Sequence, residues 1–177
     1  MTLEELEKLA TEAGFDFVQP LNMNSLEFMP EVRDMCADGK CTAYGTRWTC
    51  PPACGTLEEM REKVKNFSQG VLVQSVAQME DEFDIETIQE CAQAHKERFD
   101  KLTGEILDMK LPAMFMGTGG CRICKKCTYP DAPCRFPNKA FPSMEACGLL
   151  VSKVCTDSGL AYNHGQNTLA YTACILI

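Results

Sequence analysis

The sequence predicts a single α/β domain over residues 1–177, a sandwich of alternating helices and strands that includes two cysteine-rich loops. Three observations lead to this prediction. Amphipathic helical patterns alternate along the chain with short apolar or β-branched runs. The apolar content of 45% and the charged content of 24% are those of an ordinary globular protein. A chain of 177 residues is also long enough to bury a hydrophobic core.

Two of the predicted helices begin with a capping box, in which a Thr and a Glu three residues later satisfy each other's backbone N–H groups. Thr2 and Glu5 begin a helix over residues 3–13, and Thr56 and Glu59 begin another. Apolar residues spaced three and four apart follow both boxes, so each helix has one face for the core.

Two further helices are predicted from their spacing and their end signals. Apolar residues recur every three or four positions from Ile85 onward, which predicts a long helix to about residue 110. A fourth helix is predicted from Pro142 to Gly159. Residues 21–35 have no clear pattern. Strands are predicted at residues 15–18, 71–76, 113–116 and 168–177.

Composition limits the class of protein. The acidic N-terminus is not a signal peptide, and no apolar run has the length of a membrane span, so we predict a cytoplasmic protein with no membrane contact. The net charge of −8 argues against nucleic acid as a partner. Twelve cysteines without an export signal indicate metal binding rather than disulfides.

Four of these cysteines lie within fourteen residues, in a segment that we call the second cysteine loop (residues 121–134). Cys121, Cys124 and Cys127 are spaced as in bacterial ferredoxins, whereas Cys134 comes later than the fourth ferredoxin cysteine and is not followed by proline. Structural zinc sites more often use two separated Cys-x2-Cys pairs. We therefore predict a [4Fe-4S] cluster here, with zinc as the alternative.

A second set of four cysteines lies in the first cysteine loop (residues 36–54). Cys36, Cys41, Cys50 and Cys54 are interrupted by glycines and by a Pro-Pro pair, which rule out regular structure over most of the loop. These four side chains are predicted ligands of a second [4Fe-4S] cluster. Cys54 lies just before a predicted helix, whose dipole should favour a thiolate.

Three strings of the chain resemble a known family. They are Cys50-Pro-Pro-Ala-Cys54-Gly-Thr-Leu-Glu-Glu, Cys121-x2-Cys-x2-Cys-Thr-Tyr-Pro-Asp-Ala-Pro-Cys134-Arg, and Pro142-Ser-Met-Glu-Ala146. They resemble a domain-of-unknown-function family of predicted metal-binding proteins, family 2284, typical of methanogenic archaea and anaerobic bacteria. The resemblance implies cluster binding in an anaerobe, with the cysteines of these strings as ligands, and it implies no particular reaction.

The remaining candidates have simpler roles. Cys91, Cys147, Cys155 and Cys174 lie on predicted apolar faces, and we expect them, like His95, in the core. Basic residues lie within and just after the second cysteine loop, and we expect them to stabilise an anionic cluster. They are Arg122, Lys125, Lys126, Arg135 and Lys139.

These observations favour an electron carrier with two [4Fe-4S] clusters that exchanges single electrons with redox partner proteins. The sequence has no phosphate-binding loop and no recognisable catalytic triad. Two alternatives remain. One is an enzyme in which a cluster with an open iron binds substrate, and the other is a zinc-stabilised interaction module without redox activity.

Overall fold

The structure is a computed structural model that describes residues 1–39 and 41–177. Its described residues form one four-stranded antiparallel sheet in the order β1-β2-β4-β3. The strands are β1 (Phe17–Pro20), β2 (Gly70–Gln78), β3 (Met114–Met116) and β4 (Thr168–Leu176). The helices are α1 (Leu3–Glu12), α2 (Pro30–Ala37), α3 (Leu57–Val64), α4 (Ile85–Asp108) and α5 (Val151–Asp157), with a 3-10 turn at Met23–Ser25.

The sheet is buried on both faces. Its central strands β2 and β4 pair over nine residues, and alternate side chains point to opposite sides. Val71 and Ile175 pack against α1 and α4, whereas Leu72 and Cys174 pack with residues of α3, α5 and the segment before α5. The molecule therefore has three layers, and the mixed α/β class predicted from the sequence is confirmed.

Most of the predicted elements are present with small shifts at their ends. Both predicted capping boxes form, at α1 and at α3, with the Thr side chain accepting from the Glu N–H and the Glu side chain accepting from the Thr N–H. The long predicted helix is α4, although Ile85 and Met109, at the ends of its apolar stripe, are exposed. Helix α2 lies partly in residues 21–35, where the sequence has no clear pattern.

The predicted helix start at Pro142 and Ser143 is wrong, because α5 begins at Val151. Ser143 does begin a turn, in which the Cys147 N–H donates to the Ser143 carbonyl oxygen at 3.0 Å. Gly148 then takes a φ of +90°, which ends that turn. A Cβ at this position would lie 2.5 Å from a methyl carbon of Leu57, so the chain approaches α3 closely at this point.

The cysteines assigned to the core are buried as predicted. Cys147, Cys155 and Cys174 belong to one core cluster on the α3 and α5 face of the sheet, and Cys91 is buried on α4. His95 is also buried, but its Nδ1 hydrogen-bonds the Ser75 hydroxyl at 3.0 Å rather than the backbone. Over the described residues, no helix is both long enough and apolar enough to cross a membrane.

Candidate metal centre

The first cysteine loop starts in the last turn of α2 and ends just before α3. Cys36 is in α2, and Cys54 donates its N–H to the Cys50 carbonyl oxygen at 3.1 Å. The Gly45 N–H donates to the Pro51 carbonyl oxygen at 2.9 Å, and Gly45 has a φ of +63°. These turns fold the loop back on itself, so that thiols 18 residues apart in sequence come near one another.

Three thiols of this loop share one pocket, and the fourth lies outside its lining. Cys36, Cys41 and Cys50 line a pocket of about 320 Å³, together with Glu145 from the segment before α5. Burial raises the pKa of Cys36, and the nearby Cys41 and Glu145 raise it further. The first loop therefore presents three thiols and one carboxylate to the same space.

Cys54 lies outside this lining, in a partly buried polar network around Arg33. Arg33 donates from Nε to the Ala146 carbonyl oxygen at 2.9 Å and from Nη1 to the Gly55 carbonyl oxygen at 2.6 Å. Its Nη2 lies 3.7 Å from the Cys54 Sγ. Burial raises the pKa of Cys54, and the Arg33 guanidinium opposes this rise. The expected stabilisation of a Cys54 thiolate by its position before a helix is therefore outweighed by burial.

The second cysteine loop brings its four thiols around one small cavity. Cys121, Cys124, Cys127 and Cys134 all line it, and residues 47–49 of the first cysteine loop close it. Its volume of about 20 Å³ is close to that of one water molecule. A [4Fe-4S] cluster is larger, so its binding requires these side chains to move outward.

The Arg47-Trp48 pair joins the two loops. Arg47 Nη1 donates to the Cys121 carbonyl oxygen, and Trp48 Nε1 donates to the Ala132 carbonyl oxygen at 3.0 Å. The Trp48 indole also meets the ring of Tyr129 edge to face, with 5.0 Å between the ring centroids. Residues at both ends of the second loop are thus fixed by side chains from the first.

The pKa values of two thiols in the second loop are shifted in opposite directions. Burial raises the pKa of Cys121, and the backbone N–H of Ile123 opposes this rise. At Cys127 burial is the largest single influence and raises the pKa, but the backbone N–H groups of Tyr129, Trp48 and Thr128 and the Arg47 guanidinium together outweigh it, so the pKa is lowered. Sulfur that accepts several N–H bonds is the usual environment of a cluster-bound thiolate.

The basic residues predicted to neutralise a cluster in the second loop all have exposed side chains. Arg122, Lys125, Lys126, Arg135 and Lys139 are exposed. Of these five, Arg135 also lines the cavity, together with Arg47 from the first loop, and the cation beside Cys54 is Arg33, from α2. Sequence reasoning missed Arg47 and Arg33 because they are distant in sequence from the thiols that they approach. The position of Arg47 within a cysteine-rich loop was the one available signal.

An open groove runs between the two loops. Its volume is about 700 Å³, which lies within the range of small-molecule sites. Its lining is mainly apolar and includes Trp48, Phe115 and Phe141, with Cys54 from the first loop and Cys134 from the second. A molecule in this groove therefore touches residues of both cysteine loops.

The residue types present suit a soft metal, since both loops offer thiols and neither contains a histidine. Over residues 1–39 and 41–177, no three Cys, His, Asp or Glu side chains are placed to hold one metal ion. Four thiolates on one zinc ion lie about 3.8 Å apart, because each Zn–S bond is about 2.3 Å long. A cube binds one thiolate on each of four irons, so its ligands are more widely spaced. Over the described residues neither arrangement is preformed, so binding of either kind requires the thiols to move.

Comparisons with known proteins place the chain by family alone. No curated protein matches it. No solved structure matches it either. One family of proteins does match, over residues 19–177, which include both cysteine loops and all four strands except the first two residues of β1. The chain therefore belongs to the DUF2284 family, described as predicted metal-binding proteins.

Proposed function

We propose that this protein binds two [4Fe-4S] clusters, one in each cysteine loop, and transfers single electrons. The observation that supports the proposal most strongly is the convergence of the four second-loop thiols on one cavity, where the Phe136 N–H donates to Cys134 Sγ at 3.4 Å. Cys121, Cys124, Cys127 and Cys134 are the proposed ligands there. Thiolate ligands and N–H donors to sulfur are what an iron–sulfur cluster requires of a protein.

The proposed ligands of the other cluster are Cys36, Cys41, Cys50 and Cys54. The direct contact of the two loops through Arg47 and Trp48 favours passage of an electron from one cluster to the other, because little protein separates them. The clusters supply the redox chemistry, and the chain supplies thiolates, N–H donors and shielding from water. The protein would act in the cytoplasm of an anaerobic cell, with other redox proteins as donor and acceptor.

Metal and sulfide analysis of anaerobically purified protein tests the proposal. We expect iron and acid-labile sulfide in equal amounts, with a broad visible absorption that dithionite bleaches. Colourless protein with stoichiometric zinc would instead establish the zinc-stabilised module.

A second candidate function is supported by the pocket of the first loop. Cys36, Cys41 and Cys50 line that pocket, whereas Cys54 donates through its Sγ to the Ala146 carbonyl oxygen at 3.5 Å, outside the lining. Three thiolates leave one iron of a cube open, and the pocket has room for a small substrate beside it. Such a protein would be an enzyme that binds substrate on the open iron.

The variant Cys54→Ser separates the two candidates. If the first loop uses four cysteines, this variant should lose or alter one cluster, as seen in its iron content and in its electron paramagnetic resonance (EPR) spectrum. If the first loop uses three, both clusters should remain and one EPR signal should change when cyanide is added. Unchanged iron without any response to cyanide would contradict both candidates for this loop.

A further inference from the structure

One buried side-chain nitrogen near the second cysteine loop has no hydrogen-bond partner. Arg47 Nε is inaccessible to solvent and makes no hydrogen bond to any described residue. A buried N–H without an acceptor costs about 1–3 kcal/mol, so such groups in a folded protein usually have a partner. Arg47 lines the cavity that the four second-loop thiols share, and that cavity is where we place a cluster.

The rest of the Arg47 side chain is fixed, so Nε is held in place. Nη1 donates to the Cys121 carbonyl oxygen, which ties the guanidinium to the first cysteine of the second loop. Because the guanidinium is planar and rigid, fixing one nitrogen restricts the direction of the others. Cys121 and Cys127 line the same small cavity as Arg47, so the guanidinium charge lies near both thiols.

The backbone just before the second cysteine loop approaches this side chain closely. A Cβ at Gly120 would lie 2.8 Å from the Ala43 Cβ and 3.4 Å from both Nε and Cδ of Arg47. Any side chain at residue 120 would therefore push Ala43 or Arg47 away from the loop. Glycine at this position permits Arg47 to reach the base of the cavity.

We propose that Arg47 Nε–H donates a hydrogen bond to sulfur of the second-loop cluster, either a bridging sulfide or a ligand thiolate, and thereby raises the reduction potential of that cluster. The inference rests on the proposed function, since it needs a cluster in this loop. Reduction adds negative charge to the cluster, and a positively charged N–H donor stabilises the reduced form more than the oxidised form. Arg47 is a positioning residue contributed by one cysteine loop to the cluster of the other.

The reduction potential of this cluster shows whether Arg47 acts on the cluster electrostatically or only holds the loop in place. We compare Arg47→Gln and Arg47→Lys with Arg122→Gln, which removes a positive charge from an exposed position in the second loop. Each protein is purified anaerobically, analysed for iron and sulfide, and titrated potentiometrically with detection by EPR. We expect the potential of one cluster to shift to a more negative value in both Arg47 variants, and to shift less in Arg122→Gln.

The Arg47→Lys variant retains a positive charge and most of the side-chain length, so it should keep the cluster even if Arg47→Gln loses iron. Its reduction potential then tests the inference. An exchangeable proton coupled to the reduced cluster should also be detected by electron–nuclear double resonance in the unmodified protein, and should be absent from Arg47→Lys. Wild-type potentials in an iron-replete Arg47→Lys variant, with that proton signal retained, would overturn the inference and leave the proposed function standing. Absence of iron and sulfide from the unmodified protein would overturn the proposed function itself.

Discussion

Cysteine residues in this chain occupy two kinds of environment, and Cys124 and Cys155 represent them. Cys124 lines the cavity of the second cysteine loop, whereas Cys155 is fully buried in the core beside Thr172. We expect Cys124→Ala to lose about half of the bound iron, because a cube that lacks a ligand is lost or degraded. Iron and sulfide analysis of the anaerobically purified variant measures this loss.

Cys155→Ala is the matched control. It removes a buried sulfur atom, so we expect a loss of about 1 kcal/mol in the free energy of unfolding and no change in iron content. Equal iron content in the two variants would show that the ligand assignment is wrong.

His95 gives the stability of the protein a pH dependence. Burial and the Arg98 guanidinium lower the pKa of His95 to about 4, although Asp16 opposes the shift. An unfolded chain has a histidine pKa of about 6.5, so below that pH the unfolded state binds a proton that the folded state does not. The stabilising contribution is therefore complete above pH 6.5 and is lost as the pH falls toward 4.

Between pH 8 and pH 5 this effect amounts to a loss of about 2 kcal/mol. Urea unfolding of the protein and of His95→Gln at both pH values measures it. The variant should be less stable at pH 8, because it leaves Ser75 with an altered partner, but its stability should fall less on acidification. A fall of the same size in both proteins would rule out His95 as the source.

At the scale of elements, the capping boxes of α1 and α3 allow a matched comparison. Thr2 and Thr56 each accept a hydrogen bond from the N–H of the Glu three residues later, at 3.2 Å and 3.1 Å. Replacement of either Thr by Ala should lower the free energy of unfolding by about 1 kcal/mol. Of these two helices, α3 is the one that directly follows a cysteine loop, so Thr56→Ala should also release iron faster to a chelator.

Iron release is followed by visible absorbance after addition of a ferrous chelator. We expect the rate of iron release in Thr2→Ala to equal that of the unmodified protein. Helix α1 packs against α4 and the sheet, in a core cluster that includes no residue of either cysteine loop. Equal release rates in the two Thr variants would mean that α3 does not hold the first loop in place.

The sequence was sufficient to predict those elements that local signals determine. Capping boxes located α1 and α3, and the apolar stripe that begins at Ile85 located α4. The helix predicted from Pro142 depended on tertiary contact instead, because Gly148 packs against Leu57 and divides the segment. Strand order depends on pairings between distant residues, for which a single sequence has no local signal.

The candidate site was predictable in part for the same reason. Close spacing in the sequence revealed the eight loop cysteines. The apolar sequence around Cys147, Cys155 and Cys174 distinguished these three, as core residues, from the loop cysteines. The roles of Arg33 and Arg47 could not be predicted, because each contacts backbone atoms more than 70 positions away.

At the scale of the whole molecule, the three layers bring the two cysteine loops together. The first loop connects α2 to α3, and the second lies between β3 and α5, so both adjoin the face of the sheet that α3 and α5 cover. The Arg47-Trp48 contact and the shared groove then follow from this placement. For the proposed function, this placement would hold two clusters at a constant distance, which suits electron transfer.

The central claim is that each loop holds an iron–sulfur cluster, and low-temperature EPR of the anaerobically purified, dithionite-reduced protein tests it most directly. Reduced [4Fe-4S] clusters are paramagnetic, so we predict two signals, which broaden or split each other because the loops are in contact. A single signal that disappears in Cys124→Ala would limit the protein to one cluster. A spectrum without any cluster signal, from protein that contains zinc, would contradict the account.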